Sequence, residues 1–416
     1  MIKHLFKPID AAILIYFRFF AGIFLSFELI NSLSLGDFKE YTAPFHFSYL
    51  FFDWVTPWPY WGLIIHYTLT ILAGFTFAFG IRQRLSAVIL FFGYTLLFLM
   101  EKSEYINHLY LYCLISFWLI WMPVVKKNRL EAPAWYYYLM LFHISIVYFY
   151  AGVAKLNPDW LSGNGVMAMM NDLNPSLKMF YAYGGLLFDL LIVPFLVWRR
   201  TRTLAFIAAL IFHITNVYNF GLATFPWFSI MMTAMFFGSS WPRKFTWFDH
   251  YLPDSTRKVT VYKWLPAVLA VYCVIQLAVP LRHHLYSGNP SWTEDGHMFS
   301  WRMKLRTKTG NVVFYVVDKH SNSTRIVFPK HYLTRKQNRD MVGKPDSILQ
   351  FAHYLKKISG DVSVHASARV SLNGAPKQEM IDVQRDLGKE ERKIGSYDWL
   401  LNEKGPGVTR ALSYQD

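Results

Sequence analysis

Nine apolar stretches punctuate the chain as far as residue 280, at roughly 11–34, 60–80, 85–100, 106–125, 134–154, 184–198, 203–221, 223–238 and 264–280. A helix that crosses a bilayer needs about 20 apolar residues, and about 17 is the lower limit. The pattern therefore predicts a bundle of about nine transmembrane helices. The third and sixth stretches are short. A tight turn at Gly221 must separate the seventh from the eighth.

Beyond residue 280 the period changes. Trp301, Met303 and Leu305 alternate with Arg302, Lys304 and Arg306, which predicts a half-buried strand. A turn at Thr309-Gly310 leads to a strand over 312–317. A polar Ser321-Asn322-Ser323-Thr324 turn leads to another over 325–328. Residues 347–358 have the spacing of an amphipathic helix. Segments 362–372 and 378–383 predict a second hairpin around Asn373-Gly374-Ala375-Pro376. The fold class is thus a membrane all-α bundle over 1–280 followed by a small α+β domain with antiparallel strands over 281–416.

Composition agrees with that division. Hydrophobic residues make up 54%, aromatic residues 19% and charged residues only 17%, against about a quarter charged in soluble domains. A disordered, fibrous or ordinary cytosolic chain is excluded. A mean hydropathy of +0.21 is too low for a chain embedded throughout its length. Charge also orients the bundle, because cytoplasmic loops collect Lys and Arg. With a cytoplasmic N-terminus, fifteen basic residues fall on the inner side, among them Arg82, Arg84, Lys126, Lys127, Arg129, Arg199, Arg200, Arg257 and Lys258. The outer side holds four: Lys39, Lys102, Lys155 and Lys178. The ninth span then delivers residues 281–416, with a net charge of +8, to the extracytoplasmic side of a bacterial inner membrane. That charge suits an anionic membrane surface or an acidic partner, or else is simply a solvated face. No nucleic-acid module is present. Cys113 and Cys273 lie in apolar runs and do not suggest a disulfide framework. The first apolar run is longer than a signal-peptide core and contains Arg18, so no cleavable signal is expected.

The outer loops carry the candidate chemistry. Loop 35–59 contains Tyr41-Thr42-Ala43-Pro44-Phe45-His46-Phe47 and Asp53-Trp54-Val55-Thr56-Pro57-Trp58-Pro59, whose Trp and Pro content predicts a belt-level, partly re-entrant segment. Spans three and four are joined through Lys102, Tyr105, Asn107 and His108. Span five ends at Lys155, Asp159 and Trp160. Span seven carries His213 and Asn216 on one face. Polar groups near membrane depth are costly and are functional candidates by default. Each has a structural alternative. Lys102 can snorkel from a helix end, and His108 can be an interfacial hydrogen-bonded residue. His213 with Asn216 can be interhelical glue, and His46 can be a surface residue. Arg18 is expected to pair with Glu28 or Asp189, and His143 to be structural. No histidine or cysteine spacing supports a metal site.

Several of these strings resemble the vitamin K-dependent γ-carboxylases, within the wider horizontally transferred transmembrane (HTTM) domain family. The run Glu101-Lys102-Ser103-Glu104-Tyr105-Ile106-Asn107-His108-Leu109-Tyr110-Leu111-Tyr112 is similar to that family's acidic-Lys…Asn-His…Tyr-Leu-Tyr signature. Tyr148-Phe149-Tyr150-Ala151-Gly152-Val153-Ala154-Lys155-Leu156-Asn157-Pro158-Asp159-Trp160 resembles its Tyr-Phe…Ala-Gly…Lys-Leu…Asp-Trp segment. Phe212-His213-Ile214-Thr215-Asn216 followed by Phe225 resembles its Phe-His-x-x-Asn helix. Trp292-Thr293 and Ser300-Trp301-Arg302-Met303 are similar to its passage into the soluble domain, and Arg18 with Gly22 fits its Phe-Arg-x-x-x-Gly context. The matches occur in order over most of the chain.

The resemblance implies an enzyme that oxidises reduced vitamin K (a menaquinol-type hydroquinone) with O2 and uses the resulting strong base to add CO2 to a glutamate of a peptide or protein. On this resemblance Lys102 is the base toward the hydroquinone, with His46 as helper. Asn107 and His108 orient the cofactor, with Tyr105, His213 and Asn216 beside it. Lys155 holds the glutamate carboxylate or CO2, with Asp159 and Trp160 near it. Arg18, Asp189, Trp292 and Trp301 are structural, and no metal is implied. The chain departs from the pattern at Glu101, Ile106, Ala223 and Ala182-Tyr183. The family's animal enzymes have a larger lumenal region that grips a propeptide, so substrate recognition does not carry over. Two rivals remain: a related quinol- or lipid-modifying enzyme, and a non-catalytic receptor or assembly protein on the same scaffold.

Overall fold

The structure, a computed structural model, describes residues 2–124, 131–167, 174–220, 224–245 and 262–403. The turn at Gly221 and the basic residues Lys126, Lys127, Arg129, Arg257 and Lys258 lie outside them. The chain forms two compact units. The first comprises Met1–Thr42, Val55–Val153 and Gly185–Val279. The second comprises Ala43–Trp54, Ala154–Gly184 and Pro280–Asp416.

Each of the nine apolar stretches contains a helix among its described residues. They are α1 (Ala12–Leu35), α2 (Tyr60–Ala78), α3 (Gln83–Met100), α4 (Asn107–Ile120), α5 (Ala134–Ala154), α6 (Pro175–Val197), α7 (Arg202–Phe220), α8 (Phe225–Ala234) and α9 (Leu265–Ala278). Six of the described helices are long and apolar enough to cross a membrane: α1, α2, α3, α5, α6 and the last, when α9 is extended to Leu285. With 14 residues, α4 is only about 21 Å long, short of the roughly 30 Å hydrocarbon core. The sixth stretch, short by hydropathy, is part of a 23-residue helix because residues 175–183, mostly apolar or aromatic but interrupted by Ser176 and Lys178, continue the helix at its N-terminal end.

Helices α1 to α4 pack in sequence order. The α1–α2 contact is backbone on backbone. A Cβ on Gly22 would lie 2.5 Å from the Gly74 carbonyl oxygen and 2.7 Å from the Ala78 amide nitrogen. Arg18, one turn earlier on α1, donates from Nε to the Ala78 carbonyl at 3.3 Å, and the carboxylate of Glu28 meets His108. Arg18 thus serves an orphan carbonyl at the C-terminal end of α2, where a cation is favoured.

The second unit is built on a four-stranded antiparallel sheet in which the two long central strands, β1 (Lys308–Asp318) and β3 (Val362–Leu372), pair along their full length. Strand β2 (Thr324–Val327) flanks β1 and β4 (Gln378–Glu379) flanks β3, so the spatial order is β2-β1-β3-β4. Helix α10 (Arg335–Met341) opens with a capping box between Thr334 and Gln337, and α11 (Pro345–Ser359) packs on the sheet. Val312, Phe314 and Val316 alternate inward with Val364, Ala366, Ala368 and Val370, against Phe351, Leu355 and Trp399.

Three sequence expectations change here. Residues 301–306 are not a strand, because Trp301 (φ 57°) and Lys304 (φ 50°) take left-handed backbone that breaks the pleat. Thr309-Gly310 is not a turn but part of β1. Its glycine is needed where the strands approach, since a Cβ there would lie 2.2 Å from the Arg369 carbonyl oxygen. Residues 43–54 are not simply a belt segment. Phe47 is 0% exposed in the core of the second unit, and the amides of Gln337 and Gln350 bond the backbone of Phe45 and Ser48.

Gly22→Ala tests the α1–α2 contact. Alanine gains about 1 kcal/mol of helix propensity, but overpacking costs about 1–3 kcal/mol, and here the obstructing atoms are backbone. The expected outcome is a lower thermal unfolding midpoint in detergent. A midpoint at or above wild type would show that the helices part without cost.

Candidate active site

After α3 ends at Met100, Glu101 turns to extended backbone. Its carboxylate accepts the Ser103 amide at 2.9 Å and so caps the single 3-10 turn Lys102–Glu104. Glu101 is 0% exposed, Ser103 and Glu104 are buried, and Lys102 remains partly exposed. The acidic residue before the lysine therefore shapes the turn that displays it. The Tyr105 hydroxyl donates to Asn107 Oδ1 at 3.0 Å, at the first residue of α4.

His108 follows on the first turn of α4. Its Nε2 lies 3.6 Å from Glu28 Oε1 on α1. Its ring stacks on Phe225 of α8, with centroids 5.3 Å apart and planes 19° from parallel, and meets Tyr112 edge-on at 5.7 Å. Tyr112 in turn packs edge-on against Tyr94 and Phe228. A second polar chain runs through α5, α7 and α8: His213 Nε2 is 2.6 Å from the Tyr148 hydroxyl, which is 3.1 Å from Thr233 Oγ1. Asn216 lies one turn beyond His213 and is half-buried, and Asp189 is buried on α6. His143 bonds the Tyr272 hydroxyl and the Leu139 carbonyl, as a structural histidine does. Among the described residues, no cluster of three or more His, Cys, Asp or Glu has metal-binding geometry.

His46, Lys155, Asp159 and Trp160 belong to the second unit. Just past α5, Asn157 caps a one-turn helix, accepting the Trp160 amide at 3.0 Å and donating to the Ala154 carbonyl at 2.7 Å. Lys155, 7% exposed, places Nζ 5.2 Å from the Trp160 ring centroid. The indole Nε1 donates to the Ala182 carbonyl, and Asp159 accepts from Asn373 at 3.2 Å, tying this segment to the tip of the β3–β4 hairpin. His46 is half-buried beside Phe47. Trp292 donates from Nε1 to the Leu401 carbonyl, and Trp301 is fully buried, so both tryptophans pack as core.

The residue pattern missed one group in the second unit. Glu294 is ion-paired with Arg306 and with Lys308, the latter at 2.6 Å, and Arg302 and His297 are close by. Lys308 Nζ also donates to the carbonyls of Trp292 and Gly343. Burial works to raise the Glu294 carboxyl, but Arg306 and Lys308 win and hold it far below the usual carboxylate range. Burial, reinforced by Arg306, pushes His297 well below its ordinary value and so keeps it neutral at pH 7. Burial pushes Arg302 down to about 10 and Lys308 down to about 8, the latter against the pull of Glu294. Glu294 thus has two cations as direct partners in a desolvated setting, where charge-assisted hydrogen bonds are strong. The alternation of basic residues at 302, 304 and 306 was the visible signal, but it reads equally well as a strand with a solvated face.

The family model for the HTTM domain matches residues 6–241. The model for the vitamin K-dependent gamma-carboxylase, lumenal domain, matches residues 261–405. No solved structure matches the chain.

Competitive amine labelling of the full chain across pH should find Lys308 titrating near pH 8. Because Glu294 favours its charged form, Glu294→Gln should move the midpoint lower. A midpoint at the ordinary lysine value of about 10.4 would contradict the desolvated cluster.

Proposed function

Because the chain belongs to the vitamin K-dependent γ-carboxylase family, with an HTTM domain over more than half its length, we propose that it is a membrane enzyme of that chemistry. The carrying observation is the head of α4, where flat aromatic side chains and polar groups stand together: Tyr105, Asn107, His108 and Phe225. Such a wall fits a planar hydroquinone, stacking on its ring and bonding its oxygens. When bound, reduced vitamin K would supply, through O2, a base strong enough to deprotonate the γ-carbon of glutamate. The protein's part is to accept a phenolic proton, to orient ligands and to keep water out. On this reading Lys102 Nζ takes the proton, His108 and Asn107 orient the ring, and His46 assists.

Burial favours a second reading of the two lysines. A lysine works as a base only when its ammonium form is desolvated. Lys155 is 7% exposed, whereas Lys102 is partly open. In this version Lys155 is the base.

Nine crossings with a cytoplasmic N-terminus would carry the second unit's C-terminal part outside the cytoplasm, in keeping with its match to a lumenal domain. A reporter fused after Asp416 should then be active outside the cytoplasm, and a cytoplasmic signal would reverse the topology.

Purified protein given reduced vitamin K, O2, labelled bicarbonate and a glutamate peptide should form quinone epoxide and labelled peptide. Lys102→Ala and Lys155→Ala separate the readings: loss of the base should lower epoxide formation by about 100-fold or more. Wild-type epoxide formation by Lys102→Ala would refute the first assignment. Epoxide without labelled peptide in the wild type would favour a quinol-modifying enzyme, and neither product would refute the chemistry.

A further inference from the structure

Glu28 lies on α1, separated in sequence by α2 and α3 from the segment that carries Lys102 and His108, yet its carboxylate reaches the His108 ring. One oxygen, Oε1, is 3.6 Å from His108 Nε2. The other, Oε2, is buried without a hydrogen-bond partner among the described residues. The side chain sits in a predominantly aromatic enclosure, with Tyr94 from α3, Tyr112 from α4, and Phe225 and Phe228 from α8 around the pair. A carboxylate at this depth is costly unless it is paired. Packing alone would be served better by leucine. The imidazole has two unlike nitrogens, and the partner of one determines the role of the other.

We propose that Glu28 is a positioning residue for His108, holding Nε2 as the protonated nitrogen and leaving Nδ1 as the acceptor for a ligand hydroxyl. This deepens the carboxylase reading and rests on it for the identity of that ligand. The stack on Phe225 sets the plane of the ring, and Glu28 sets its rotation within that plane. Tyr94 and Tyr112 are the titratable neighbours, and α8 contributes only apolar faces to the pair.

The test uses full-length protein in nanodiscs with 15N-labelled histidine, and His108→Gln assigns the ring signals. In Glu28→Gln the ratio of Nε2-protonated to Nδ1-protonated His108, read from the ring 15N shifts, should fall by about tenfold, and Glu28→Asp should largely restore it. Epoxide formation should fall with it. Coincident tautomer ratios in wild type and folded Glu28→Gln would overturn the proposal. If Glu28→Gln does not fold, infrared spectroscopy of His108→Gln decides. Loss of the imidazole should shift the Glu28 carboxyl band, and an unchanged band would overturn the pairing. A wild type that makes no epoxide would sink the carboxylase reading while leaving both spectroscopic measurements valid.

Discussion

A hydrocarbon layer offers the backbone no hydrogen-bond partner, so each crossing segment must satisfy its own amides and carbonyls. Most of the first unit follows from this constraint. Its apolar stretches become helices, and side chains with something to bond are confined to helix ends or to the space between helices. Where two helices pack most closely, they come together through glycine, as Gly22 and Gly74 do, and Ser26 Oγ bonds the Ile71 carbonyl across the same contact. Where a carbonyl is left over at a helix end, a cation serves it, as Arg18 does at Ala78.

The same constraint explains why the chemistry gathers at breaks between helices. The turn from α3 to α4 is too short to be solvated as a loop, so its own carboxylate, Glu101, caps it. That leaves Lys102 displayed and sets Asn107 and His108 at the first turn of α4. The break after α5 is built alike: Asn157 caps a one-turn helix that holds Lys155 against Trp160. The two lysines are presented by similar devices but in different surroundings, the one partly open and the other buried.

In the second unit, charge is managed by pairing. Glu294 has two cations as direct partners, and the backbone bends through left-handed conformations at Glu294, Trp301 and Lys304 to bring the group together. Such bends cost energy and persist only when their surroundings hold them, here the fully buried Trp301 and the Trp292 indole bonded to Leu401. A regular strand would keep Arg302, Lys304 and Arg306 on one face, whereas the bends leave Lys304 exposed and carry Arg302 and Arg306 inward toward Glu294.

The helices, the long strands and the family resemblance were legible in the residues because they depend on local periodicity and on short ordered strings. Hydrophobic period does not report which side chains meet. Glu28 looked like a partner for Arg18 and became the partner of His108, because packing of α1 against the head of α4 decides that contact. Phe45 and Phe47 looked like belt residues and instead pack in the core of the second unit, because the amides of Gln337 and Gln350, some 300 positions later, bond that backbone. Thr309-Gly310 looked like a turn and became strand, because glycine there answers the close approach of Arg369. The sequence by itself determined the apolar helices, the long strands and the residue types available for chemistry, since these follow from local periodicity and burial of apolar surface. Only the tertiary structure decided the pairing of charges and the burial of each lysine, because those depend on distances between segments far apart in the chain.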